Sequence, residues 1–524
     1  MSGVVPLNLV KSVVDPIHGL IRMTREEHDL MNSRVFQRLR GIKQNGLLHL
    51  VFPSATHTRF EHSLGVMFVA DAILQALYFN SEAERNKGLS KEALPDPRCA
   101  AAGLAVDFSR VQPQVLEDIF RVTRLAALVH DMGHGPLSHT FDKFAPDCAR
   151  VRALIGADEF KQLAPLDKAL FGDKKADGER NPVAHESMSC LMFCWHWSQH
   201  GSKNSDWIPL AVATAVLGRK KVTTVPDRIP SRLRKWLPLI QDIISSAPVD
   251  ADRLDYVERD SRSCGVNYGL YDRNRLLKSA LCYRSEADAF RLGWKLSGLR
   301  AIEVFLQARF QMFAQIYYHK TNSALHEMIE TIREFLDKGD YEIFPAETVD
   351  ELIGSYCGDS DDSFLRALCG EGHRLRDIPD INNLARRIAE RQSLYRRLYE
   401  TSPSMTAERM SAALRAARPD TNNSIRFAKS RLEATKDLEK GAVLLRRGSD
   451  GRYAAPRLDN TRDKDAGEDW REASSLIRTL HDEEKRIERL YWIGTDDNEY
   501  RDLRGMVLSI SGAQHGQRVS TSER

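Results

Sequence analysis

The sequence predicts a mainly α protein, with a helical core followed by a helical C-terminal extension, and three observations carry that prediction. Apolar side chains recur at spacings of three and four over several long stretches, which places them on one face of an α-helix. Alternating apolar and polar runs, the mark of half-buried strands, are few. Glycine, proline and charge gather between the periodic stretches rather than inside them.

In chain order, residues 25–50 read as a helix with Leu30, Phe36, Leu39 and Ile42 on its apolar face. Residues 60–79, 115–132 and 184–199 read as three more, and 296–338 as one long helix or two stacked ones, with Ile302, Phe305, Leu306, Phe310, Phe313, Ile316 and Tyr317 in register. About 80–114 and 145–183 read as insertions. The expected division is a core over 1–335 and a helical region over 336–524. In the latter, LARRIAERQSLYRRLYE reads as amphipathic helix, and its cluster Arg386, Arg387, Arg391, Arg396 and Arg397, interleaved with Glu390 and Glu400, as a solvated face. Residues 447–470 read as an exposed loop or short hairpin, and the last dozen as a disordered tail.

A hydrophobic fraction of 42% in 524 residues leaves material for a sizeable core. The net charge of +3 gives no global electrostatic case for nucleic-acid binding; single-stranded nucleic acid stays a partner only through local basic clusters. No run of about 18 uninterrupted apolar residues is seen, nor a charged segment leading into an apolar one at the N-terminus, so the expectation is a cytoplasmic chain with no membrane partner. The eight cysteines are scattered without paired metal-binding spacing and read as buried thiols.

Histidine is not scattered. His130 and Asp131 end an apolar run, LAALVHD, and MGHGPLSHTFD adds His134, His139 and Asp142. A helix end packed on apolar neighbours cannot bury so many polar groups without partners. A metal ion would be one, and a surface histidine cluster is the alternative. Imidazole and carboxylate together suit Mn, Mg or Fe, with Zn also compatible. Two further segments carry similar chemistry: THTRFEHSLGV, with His57, Arg59 and His62, and PVDADRLDYVERD, with Asp250, Asp252, Asp255, Tyr256 and Asp260. Taken alone, the second is a solvated helix or a ligand-bearing one.

FPSATHTRFEHSLGV, HDMGHGPLSHTFD, AHES, DADRLDYVERD and ARFQMFAQIYYHK stand in an order that resembles the HD-domain deoxynucleoside triphosphate triphosphohydrolases, a family that includes bacterial dGTPases and the mammalian SAM-and-HD-domain enzyme. The resemblance spans about 10–330. It implies an HD-domain helical bundle, a divalent metal held by His62, His130, Asp131 and Asp252, and hydrolysis of a dNTP to deoxynucleoside and inorganic triphosphate. By the same resemblance His134, His139 and His185 line the reaction centre, with Asp142 and Glu186 orienting them. Arg59, Arg253, Arg309 and Lys320 face phosphates, Tyr256 and Asp260 contact sugar and phosphate, Tyr317 packs on the sugar, and Gln44 reaches its 3′-hydroxyl. His57 matches no ligand of the family and is structural or lies just outside the ligand set.

The family's IKQLG reads Ile42-Lys43-Gln44-Asn45-Gly46 here. A polar Asn45 offers a 2′-hydroxyl a hydrogen bond where a leucine presses on the sugar, which weakens discrimination against ribose. A homo-oligomer, a nucleotide effector and a role in antiviral defence follow from the resemblance alone. At the positions resembling a regulatory site, Val14 and Asn32 differ while Gln37 and Arg40 are kept. The same metal chemistry would serve an HD phosphodiesterase or nucleotidase acting on another phosphate ester or on single-stranded nucleic acid, and a nucleotide-binding sensor with little turnover is the reading from another class.

Overall fold

The computed structural model describes residues 6–520 apart from 88–92, 156–159, 174–179, 203–204, 246–248, 340–342, 372–377, 393, 403–404, 421–423, 433–442, 456–472 and 483–484. It is mainly α. The central element is the helix Arg59–Asn86, which starts at a Thr58–Glu61 capping box. It packs against Pro113–Val129 and Ala251–Ser263, while Leu237–Ser245 packs on Ile208–Lys221. The central helix is long and apolar enough to cross a membrane, and 67% of its most apolar window is buried inside the protein. Its apolar faces are therefore used by its helical neighbours.

The region expected as one helix over 25–50 is broken. Arg25–Met31 ends at Asn32, a short helix follows over Arg34–Gln37, and the chain continues as tight turns over Arg38–Gly41 and Gly46–Leu50. Asn32, Ser33, Gly41 and Gly46 interrupt propagation there: two can bond to nearby backbone, and two lack a side chain to hold the helix. The 296–338 span resolves into Leu299–Met312, a single π turn over Phe313–Tyr317, and Lys320–Lys338. Helices His185–His200 and Pro113–Val129 fall within a few residues of expectation.

Three small sheets were not legible. Lys11–Asp15 and Gly19–Met23 form a hairpin. Ala280–Arg284 and Phe290–Lys295 pair antiparallel, and the latter pairs parallel with Val443–Arg447. Every residue of Phe290–Lys295 is buried, so the strand shows no alternation to read. In the C-terminal region Arg396–Glu400 and Ile425–Leu432 flank Lys485–Trp492.

The helix expected through LARRIAERQSLYRRLYE therefore needs correction: it runs over Pro379–Ala389 only, and RRLYE is a strand. Arg391 takes a left-handed φ of 52° that turns the chain, and Leu398 is then buried with Met410, Leu414, Leu490 and Trp492. The C-terminal region is thus mixed, not helical throughout. From 447 to 455 the chain forms a short hairpin, Arg446 and Arg447 pairing with Ala454 and Tyr453. From 456 the predicted loop lies outside the described residues. The last helix, Asp497–Ser520, runs into the stretch expected as a disordered tail; its buried Leu503 and Val507 anchor the first turns, from which helix propagates at low cost.

Arg426 of the C-terminal sheet donates to Glu327 at 3.1 Å and to Glu334 at 2.7 and 2.9 Å. Arg489 donates to the Tyr318 carbonyl and the Tyr491 hydroxyl to that of Lys320, at 2.7 and 2.8 Å. The sheet is thereby tied to the π turn and to the helix that follows it.

Candidate metal centre and active site

The end of helix Pro113–Val129 delivers His130 and Asp131, the first turn of Arg59–Asn86 delivers His62, and the first turn of Ala251–Ser263 delivers Asp252. The four side chains meet. His62 Nε2 stands 3.1 Å from Asp252 Oδ1 and 3.4 Å from Asp131 Oδ2. His130 Nε2 stands 3.4 Å from Asp131 Oδ2 and 3.7 Å from Asp252 Oδ1. Donors bound about 2.1 Å from one cation lie roughly 3.0–3.4 Å apart, so these spacings are close to those of ligands around a shared ion. His130 Nδ1 bonds the Ala127 carbonyl at 2.8 Å, which leaves Nε2 with its lone pair; that atom is buried with no hydrogen-bond partner among the described residues. An orphaned, oriented imidazole nitrogen between two carboxylates is what a metal ligand requires, and this set fits a divalent cation.

Burial alone would lower the His62 imidazole, but Asp252 and Asp255 outweigh it and raise it to about 9. Asp131 and Asp252 are both driven well below the usual carboxylate range against burial, the first by Arg59 and the second by His130 and His62. Asp255 is wholly buried: it meets His62 Nδ1 at 2.8 Å and His18 Nε2 at 2.5 Å, and accepts from Arg259 Nε at 2.8 Å. It fixes which His62 nitrogen faces the cluster. Asp255→Asn is expected to weaken Mn²⁺ affinity by about 10- to 100-fold, the usual effect of losing such a partner, measured by calorimetric titration.

A second group, His134, His139, Asp142 and His185, also gathers its donor atoms within 4.8 Å of one another. His134 stacks on His185 with ring centroids 3.8 Å apart. Asp142 pairs with His139 at 3.1 Å and lies 3.6 Å from His185. Gly133 makes this possible: a Cβ there would stand 2.2 Å from the His185 carbonyl oxygen, so only glycine lets the two segments approach. Burial, Arg59 and His185 push the His134 imidazole well below its ordinary value, leaving it neutral. His185 moves the other way; burial opposes the shift, and Asp142 and Glu186 raise it. Glu186 also lies 3.5 Å from Lys221.

Leu137 and Ser138 precede His139 with φ of 63° and 59°, each at a cost on the order of 1–2 kcal/mol for a side-chain-bearing residue. Ser138 Oγ donates to the Gln44 carbonyl at 2.9 Å and accepts from Arg59 Nε at 3.0 Å. Buried Arg38 donates to the carbonyls of Met132, His134 and Tyr356 at 2.9, 2.6 and 2.9 Å.

Both groups border one cavity of about 1100 Å³. Of the residues anticipated from sequence, Gln44, Asn45, Arg59, His130, Asp131, His139, His185, Glu186, Asp252, Arg253, Tyr256, Asp260, Arg309 and Tyr317 line it. His62 and His134 are fully buried at its back. Lys320 is exposed and outside the lining, because the chain turns outward after the π segment. Arg59 is paired with Asp131 and Arg253 with Asp250, and Arg309 Nε donates to the Tyr256 hydroxyl at 3.1 Å. The Tyr317 hydroxyl donates to Asp260 at 2.6 Å, and His57 Nε2 meets the other oxygen of that carboxylate at 2.6 Å. Asn45 also lies beside Asp260 and helps keep it ionised.

Sequence reasoning missed Lys143, Lys220, Lys221, His326 and Lys429, which also line the cavity. The run Arg219-Lys220-Lys221 was a legible signal. Lys429 was not, since it arrives from the C-terminal sheet.

No family model matches the chain. An uncharacterized protein of Methanocaldococcus jannaschii is 29% identical over 331 residues, 63% of this chain and 51% of its own. The human deoxynucleoside triphosphate triphosphohydrolase SAMHD1 is 25% identical over 423 residues, 76% of this chain and 56% of its own. An HD domain-containing protein of Acanthamoeba polyphaga mimivirus is 26% identical over 356 residues, 67% of this chain and 63% of its own. These relatives support a likeness to the HD-domain proteins and to the dNTP triphosphohydrolases among them. It spans about half to two thirds of the length of the curated relatives it matches. The fold is shared with a solved structure, a hypothetical protein from Aquifex aeolicus, with a TM-score of 0.59 at 23% identity, covering 95% of this chain and 99% of that one. The chain carries His and Asp groups that could bind a metal.

Proposed function

We propose that this HD-domain protein hydrolyses nucleoside triphosphates, with deoxynucleotides as the expected substrates, to nucleoside and inorganic triphosphate. The observation that carries the reading is the shared cavity: it is lined by His130, Asp131 and Asp252 of one cluster, by His139 and His185 of the other, and by Arg59, Arg253 and Arg309, with His62 and the His134 and Asp142 side chains gathered against those groups.

The four-residue cluster would hold Mn, Mg, Fe or Zn, and the bound ion would polarise a phosphate oxygen and lower the pKa of a water. Arg59, Arg253 and Arg309 pair with triphosphate oxygens, for which the planar guanidinium is suited. His185, whose pKa Asp142 and Glu186 raise against the effect of burial, supplies the proton that a poor leaving group such as the sugar 5′-oxygen needs, with exposed His139 sharing the same carboxylate. Neutral His134 fills the space against His185 without adding charge. Gln44, Asn45 and the Tyr317–Asp260 pair form the wall for the sugar. The chain acts as a homo-oligomer in the same reading, which sedimentation would measure.

The test is product identity. Purified protein with Mn²⁺ or Mg²⁺ and each dNTP and NTP is expected to release tripolyphosphate and nucleoside, resolved by ion-exchange chromatography. Pyrophosphate or monophosphate products would turn the reading toward a phosphodiesterase or nucleotidase, and binding without turnover toward a sensor.

A further inference from the structure

Two walls of the cavity come from distant stretches of chain. One is Gln44–Asn45, and the other is the turn Leu137-Ser138-His139. The second wall is held in an unfavourable backbone state, with two consecutive side-chain-bearing residues left-handed. Such a turn persists only where its surroundings over-determine it, so the groups that grip it are of interest.

Asp361 grips it, and it grips the first wall as well. Asp361 Oδ1 accepts from the Leu137 amide at 2.6 Å. Asp361 Oδ2 accepts from the Lys43 amide at 2.9 Å. The carboxylate is 3% exposed. It is carried at the start of the helix Asp361–Leu368, N-capped by Ser360, well beyond the stretch that supplies the metal cluster. The packing around it is close: a Cβ on Gly41 would stand 2.8 Å from Ser360 Cβ, and one on Gly46 would stand 2.7 Å from the Leu137 carbonyl oxygen. Exposed Asp362 stands 3.5 Å from the Lys43 ammonium.

We propose that Asp361 is a positioning residue for the cavity: its two oxygens clamp the amides of Lys43 and Leu137 and thereby fix Gln44 and Asn45 against the strained turn that carries His139. It touches neither the metal cluster nor the phosphate-facing arginines. Its effect on turnover rests on the triphosphohydrolase reading; the clamp itself does not. The C-terminal region gains a role from this, since a carboxylate from that region sets the geometry of a site whose chemistry lies in the core.

Asp361→Asn keeps the volume and leaves one carbonyl oxygen for two donors, turning an amide N–H toward the other. In the metal-loaded full chain, the amides of 42–46 and 136–140 are expected to exchange hydrogen at least about tenfold faster, as local opening becomes easier. Metal stoichiometry is retained, and kcat falls about tenfold or more per folded enzyme. Asp362→Asn changes none of these. Unchanged exchange overturns the clamp. Faster exchange with wild-type kcat and KM on an active enzyme overturns the positioning role. If wild-type protein releases no tripolyphosphate from any nucleotide, the functional reading fails while exchange still decides the clamp.

Leu137→Gly supplies a second variant, because glycine adopts this backbone without help. The kcat cost of Asp361→Asn is expected to be smaller in the Leu137→Gly background than alone. Equal costs in both backgrounds overturn the link between clamp and strained turn.

Discussion

Replacing His130 with alanine is expected to reduce nucleoside triphosphate hydrolysis by about a thousandfold or more and to lower metal occupancy, with the fold retained. His130 Nδ1 is committed to the Ala127 carbonyl, so the ring presents Nε2, and no group among the described residues hydrogen-bonds that atom. Alanine removes a donor of the cluster and leaves His62 as its one imidazole beside Asp131 and Asp252. A divalent ion held by fewer ligands binds weakly, and the water activation it would supply is lost with it. Folding is expected to survive because His130 contributes its ring to the cluster rather than to the apolar core, whose members on this helix, Leu125 to Val129, are untouched. Elemental analysis and a thermal melt measure the two halves. Full occupancy and full activity in the variant would remove His130 from the metal centre.

The second large effect is expected at Asp142. This carboxylate serves His139 and His185 at once, and with Glu186 it raises the His185 imidazole above its ordinary value despite burial. If protonated His185 gives up its proton in the reaction, activity is present below that raised pKa and lost as pH rises through it. Asp142→Asn removes the negative charge, so the pKa of His185 falls and the descending limb of the kcat profile moves to lower pH. Above neutral pH the variant is expected to lose roughly 10²–10⁴ in kcat, the usual contribution of a positioned general acid, and less at acidic pH. A profile of unchanged shape, scaled down uniformly, would show that Asp142 does not tune the acid.

The residues of both clusters could be named from sequence because imidazole and carboxylate crowded at one helix end leave few physical alternatives. Their pairing could not be read directly. His62 and Asp252 meet across 190 positions of chain, and only the packing of Arg59–Asn86 against Ala251–Ser263 brings them together. Resemblance supplied that link before geometry did. Lys320 shows the limit of such transfer: its motif, IYYHK, places it next to Tyr317, yet the π turn sends Tyr317 into the cavity lining and Lys320 to the surface. Asp255 was visible as one aspartate among several, but its grip on His62 depends on His18 and Arg259 arriving from other elements.

The fold was legible where periodicity reports burial on one face, as in Pro113–Val129. It was not legible where burial is two-sided, as in Phe290–Lys295, or where a backbone turn overrides helix propensity, as at Arg391 before the strand RRLYE. The amino-acid sequence by itself determined the mainly helical class and the chemical types gathered near His130, because both follow from local spacing. Which donors share a centre, which arginines reach the cavity and which distant carboxylate braces the strained turn were decided by the tertiary structure alone. Those contacts join segments far apart in the chain, and their geometry follows from how helices and strands pack together, which no local pattern records.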